Sequence, residues 1–121
     1  MIELGRLSVG LAGAGGVSLA VLGIAFLRDP ASALRLSGHR AEALPRVMAN
    51  RYLALAALAL LAVLHGDAGV IAALFAVLGL MGLHDASIYA RAGQAWGRHA
   101  AAGGAALGVA GLAWLARAGG A

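Results

Sequence analysis

From Leu7 to Leu27 the chain reads LSVGLAGAGGVSLAVLGIAFL, 21 residues without a charge. As a helix rising 1.5 Å per residue, such a run is about 30 Å long, the thickness of a bilayer's hydrocarbon core. A backbone in hydrocarbon must satisfy its own N–H and C=O groups, so the run has to be a helix. Three further runs repeat the constraint. The second long helix is expected from Arg46 to Leu64, the third from Val70 to Arg91 and the fourth from His99 to Ala116. The sequence HGDAG at 65–69 makes a tight turn between the second and third, and AGQAWGR at 92–98 joins the third to the fourth. The expected fold is all-α: an integral membrane antiparallel bundle of four transmembrane helices, forming one domain over residues 1–121.

The first run does not read as a cleavable signal peptide, because MIELGR carries an acid and GIAFLRDP offers no small-x-small cleavage site. Between the first two long helices, RDPASALRLSG has Asp29 as an N-cap, Pro30 at the first helical position and Gly38 as a stop. A short interfacial helix over 30–37 follows, lying on the inner membrane surface. Pro45 suits the first turn of the second long helix, where a missing N–H costs little.

Charge sets the topology. All nine basic residues are arginine, and with five acids the formal charge is +4. The two connections on one side of the bundle, with the adjoining helix ends, carry Arg28, Arg35, Arg40, Arg46, Arg51, Arg91 and Arg98. The other side carries Arg6 and Arg117. The positive-inside rule puts the arginine-rich connections inside and both termini outside, across the cell (inner) membrane. Arginine at membrane borders accounts for a pI near 11.2 without nucleic acid as a partner. The absence of cysteine excludes disulfides and thiolate chemistry. Trp96 and Trp114 read as anchors at opposite membrane faces.

Small residues form two stripes: Ala12, Gly16, Ala20 and Gly23 on the first helix, and Gly104, Gly108 and Gly111 on the fourth. Such stripes let helices approach closely in lipid, within the bundle or between copies in a homo-oligomer.

Against this apolar background a few polar residues stand out. Alternate threading of the helices brings Arg51, Asp85 and His99 to one depth near the inner face, joined by Asn50, Tyr52, His84 and Tyr89. Ionisable groups inside a span are costly unless paired or hydrated and point by default to function. Two readings stand side by side. In one, Arg51 snorkels, Asp85 neutralises it, and the cluster is a structural ion pair. In the other the cluster is the polar floor of a ligand pocket. Asp85 and His99 then pair as a general base, and Arg51, Asn50, His84 and Tyr89 contact the ligand. A metal site is disfavoured, because His84 and Asp85 are adjacent and point about 100° apart, unlike ligands at i and i+4.

These residues carry a resemblance. FLRDPASALRLSG, then NRYLALAALALL, GLMGLHDASIYA and GRHAAAGGA, is similar to a group of small bacterial four-helix membrane proteins of unknown function, loosely DoxX-like, over residues 20 to 115. The resemblance implies Arg51, Asp85 and His99 as the positions to test. Related four-helix proteins include oxygenase-like enzymes acting on hydrophobic aromatics and accessory proteins of quinone-linked electron transfer. RVMANRYL and LHDASIYARAGQAWGR look like parts of the membrane-associated eicosanoid and glutathione metabolism family. That family has an acid three residues after the second-helix Asn, where this chain has Leu53.

Three functions follow as expectations. The first is binding of a lipophilic small molecule, with or without proton-transfer or oxygenation chemistry. The second is a structural or accessory subunit docking through its glycines. The third is a glutathione-dependent membrane transferase. Whether the chain is an enzyme, and with which cofactor, is left open by the residues.

Overall fold

The structure, a computed structural model, describes residues 2–120, apart from the side chains at positions 2, 3, 9, 13, 15 and 16. Five α-helices follow one another: α1 Ile2–Arg28, α2 Pro30–Ser37, α3 Leu44–His65, α4 Ala68–Arg91 and α5 Gly97–Gly119. A 3-10 turn over Ala41–Ala43 leads into α3. No strand occurs among the described residues. The four longer helices are each long and apolar enough to cross a membrane, as in a multi-pass membrane protein.

The helix ends follow local chemistry. Asp29 caps α2 by accepting a hydrogen bond from the Ser32 N–H at 3.1 Å, with Pro30 next to it. Gly38 ends the helix at φ 72°, the left-handed conformation that glycine enters without steric cost. Gly66 turns at φ 76°, and Asp67 then caps α4 by accepting from the Val70 N–H at 2.9 Å. The long helices run past their expected bounds by up to five residues, except that α4 ends at Arg91 as expected. Polar residues such as Arg6, His65 and Arg117 extend a helix beyond its apolar run as readily as they end it.

By packing, the chain divides into two units, Met1–Asn50 and Arg51–Ala121. In the first, α2 packs back against α1. In the second, α4 and α5 form a close antiparallel hairpin. Its contacts run in opposite directions along the two helices: Gly69 against Arg117, Gly79 against Leu107 and Gly103, and Gly82 against Gly103 and His99.

The packed interior is made of small residues. Ala62, Ala72, Ala86, Ala110, Gly79 and Gly103 are buried, and no large side chain is fully buried among the described residues. Large apolar side chains point outward instead, with Leu64 81% and Leu112 71% exposed. In water this arrangement would leave extensive apolar surface uncovered. In lipid it is the expected solution, because leucine gains nothing there by turning inward and small residues let backbones touch. The helix serines fit the same setting. Ser8, Ser18 and Ser87 donate their hydroxyls to the carbonyls of Gly5, Ala14 and His84, so none carries an unmet donor into hydrocarbon.

The glycines that bring α4 and α5 together are not the expected ones. A Cβ on Gly103 would sit 2.8 Å from the Leu83 nitrogen and 2.9 Å from the Gly79 oxygen. Gly104, Gly108 and Gly111 have nothing within 4 Å of theirs. Gly103 and Gly104 point about 100° apart on the helix, and it is the Gly103 face that meets α4. On α1, Gly23 is likewise open, and Gly16 lies outside the described side chains.

Candidate ligand cleft

Close approach at Gly82 and Gly103 fixes the level of the polar residues. Asp85 lies one turn beyond Gly82 on α4, and His99 lies one turn before Gly103 on α5. The backbones pass so closely that a Cβ on Gly82 would meet Gly103 at 2.9 Å and the His99 carbonyl at 3.2 Å. Asp85 and His99 are therefore brought to one end of the hairpin, both half-buried. The short connection after α4 completes this end. Gly93 turns at φ 69°, and the Gln94 N–H bonds back to the Tyr89 carbonyl at 2.9 Å.

Tyr89 is four residues after Asp85 and shares its face of α4. Its ring stacks on the His99 ring with centroids 4.6 Å apart and planes within 16°. The stack fixes the imidazole plane beside the Asp85 side of the hairpin.

Asp85 and His99 border an open cleft of about 340 Å³ between α3 and the α4–α5 hairpin. This volume lies at the lower end for small-molecule sites. Its walls are Leu55 of α3 and Phe75, Leu78 and Met81 of α4; Ala56, Ala59, Ala102 and Ala106 line the rest beside Gly82 and Gly103. Tyr52 joins Asp85 and His99 as a third polar side chain. Small residues thus play two parts here. The α4 and α5 glycines draw those helices together, whereas the alanines facing α3 leave room. Ala54 and Ala57 of α3 are exposed and do not line the cleft.

The other expected site residues stand elsewhere. Arg51 precedes Tyr52 and is exposed at the start of the second unit, outside the cleft lining. His84 is exposed and projects from α4 about 100° away from Asp85, outside the cleft lining. Asn50 belongs to the first unit. No three His, Asp or Glu among the described residues come close enough together to hold a metal ion.

The far end of the hairpin is held differently. The Arg117 side chain lies against Gly69 at the start of α4 and over the Trp114 ring, 5.8 Å from its centroid. The Val70 and Gly69 backbone N–H groups hold the Asp67 carboxyl below its ordinary pKa, aided by the Arg117 and His65 charges. At the α1–α2 corner the Ser32 hydroxyl and N–H hold the Asp29 carboxyl below its ordinary value.

Chemically, the cleft is an apolar slot with a carboxylate, an imidazole and a phenol at one end. Such a slot suits a molecule with an apolar body and a polar head. The carboxylate accepts hydrogen bonds and the imidazole gives or takes a proton. Tyr52, expected in the polar layer beside Arg51, does line the cleft. The Tyr89–His99 stack has only a weak trace in the sequence, an aromatic residue and a histidine flanking a short connection. No family model, curated protein or solved structure matches this chain.

Proposed function

We propose that this chain is a small multi-pass membrane protein that binds a lipophilic molecule with a polar head in the α3–α4–α5 cleft. In this reading the four long helices thread alternately through the bilayer as an antiparallel bundle, with both termini outside and α2 at the inner interface. The ligand's body lies among Leu55, Phe75, Leu78 and Met81, and its head meets Asp85 and His99. Tyr89 orients His99 by stacking, and Arg51 and Tyr52 stand at the inner border. The observation that carries the reading is the coincidence of the cleft with Asp85 and His99, a carboxylate and an imidazole placed inside spans where such groups are costly.

The test compares wild type with His99→Ala, purified in mild detergent. Native mass spectrometry reads bound small molecules, and a thermal melt reads the fold. The reading expects a co-purified ligand in the wild type, its loss in the variant, and nearly equal melting, because His99 sits in the first turn of α5. Equal ligand content in both, or a variant that loses stability with no ligand in either, sinks it.

A second reading has one observation in its favour. The Gly104–Gly108–Gly111 face of α5 meets nothing within 4 Å, leaving a flat ridge on which a partner helix or a second copy could pack. This is the accessory-subunit role, and a strictly monomeric mass in the same spectra would count against self-association through the ridge.

A further inference from the structure

We propose that the corner between α1 and α2 is a binding surface for the headgroup of an anionic glycerophospholipid. Arg28 and Arg35 supply the charge, and Leu27 and Leu36 are the apolar anchors beside them. The inference rests on the membrane setting of the chain and is independent of any ligand in the cleft.

Four arginines, Arg28, Arg35, Arg40 and Arg46, fall within residues 28–46 against two acids, Asp29 and Glu42. Both acids are already engaged. Asp29 is the cap of α2, held by Ser32, and Glu42 faces Arg40 at 3.8 Å. Arg28 ends α1 and Arg35 is in the last turn of α2. Arg35 donates to the Ser32 hydroxyl at 2.7 Å, which ties its guanidinium to the α2 surface and leaves its other donors available.

The α2 helix is oriented, not free to roll. Ala33 is 1% exposed, and the Pro30 and Gly38 ends are fixed by cap geometry. With that face buried, the helix turns outward Leu36, 76% exposed, and Arg35, while the neighbouring end of α1 presents Leu27, 69% exposed, and Arg28. Large leucines interleaved with arginines at the end of a span match the boundary between acyl chains and phosphates. Guanidinium forks match phosphate oxygens, and each basic residue near an anionic membrane surface contributes about a fivefold gain in affinity. A zwitterionic headgroup gives no such net attraction. Anionic lipid therefore complements this corner in both charge and polarity.

The test uses the full-length protein in detergent, titrated with an equimolar mixture of phosphatidylglycerol and phosphatidylcholine of identical chains and read by native mass spectrometry. The wild type should retain the anionic lipid preferentially. Arg28→Gln with Arg35→Gln should reduce the preference by roughly fivefold for each arginine. The corresponding Lys pair should keep most of it, and Arg117→Gln, at the other end of a different helix, should leave it unchanged. If the Gln pair does not fold, raising salt on the wild type decides the matter, since the preference must fall with screening. Equal retention of the two lipids by wild type, a preference untouched by both the Gln pair and salt, or displacement of the lipid by inorganic phosphate at equal concentration would overturn the proposal.

Discussion

Replacing Gly103 with alanine adds one methyl group at the point where α4 and α5 touch. That carbon would stand 2.8 Å from the Leu83 nitrogen, 2.9 Å from the Gly79 oxygen and 3.1 Å from the Gly82 carbonyl carbon. Favourable contact begins near ~3.5 Å, so the facing backbone must withdraw by roughly half an ångström. No side chain can rotate out of the way, because all three neighbours are main chain. Overpacking of this kind costs about 1–3 kcal/mol. Alanine also returns about 1 kcal/mol of helix propensity, which would hide part of the loss. Gly108→Ala provides the reference: it receives the same propensity gain on the same helix and meets nothing within 4 Å. The difference between the two variants isolates the clash, with Gly103→Ala less stable by about 1–3 kcal/mol. Reversible unfolding in mixed dodecyl maltoside and dodecyl sulfate micelles, followed by circular dichroism, reads it. If Gly103→Ala proves as stable as Gly108→Ala, α4 and α5 do not meet through Gly103.

Two further outcomes are expected. The Asp67 carboxyl is held below its ordinary value of 3.8, so its stabilisation of the α4 start is full above that value and lost as pH falls through the lower folded value; an acid titration by circular dichroism should lose this component in Asp67→Ala, and identical titrations would refute the cap's role. A membrane-impermeant maleimide on intact cells should label His65→Cys and spare Gln94→Cys, and the reverse pattern would invert the topology.

The sequence carries the helices and their ends clearly, because the deciding forces are local. Asp29, Pro30 and Gly38 specify α2 by hydrogen bonding and backbone sterics within nine residues, and the structure places that helix over Pro30–Ser37. The Gly66–Asp67 turn is legible for the same reason. Choosing a packing face is harder. Gly103 and Gly104 are equally small, and only the position of α4 distinguishes the one that is buried from the one that is open. The cleft shows the same divide. Antiparallel hairpin geometry is enough to bring Asp85 and His99 to one level, since it follows from counting residues away from the connection. Whether the imidazole turns to Asp85 or stacks on Tyr89 depends on a few ångströms of side-chain placement, which residue order does not encode. Nor does periodicity tell whether alanines pull helices together or hold a space open. Here Ala62 is buried on α3, while Ala56 and Ala59 of the same helix line the cleft.

The central claim is that the α3–α4–α5 cleft holds a lipophilic molecule, and filling it tests this most directly. Ala102→Trp puts a large ring into the slot from an exposed position on α5 that needs no repacking of the Gly79–Gly82–Gly103 contact. Native mass spectrometry of gently extracted wild type and variant should show one small molecule bound to the former and none to the latter, with both folded by circular dichroism. The same bound molecule at the same occupancy in Ala102→Trp would contradict the account.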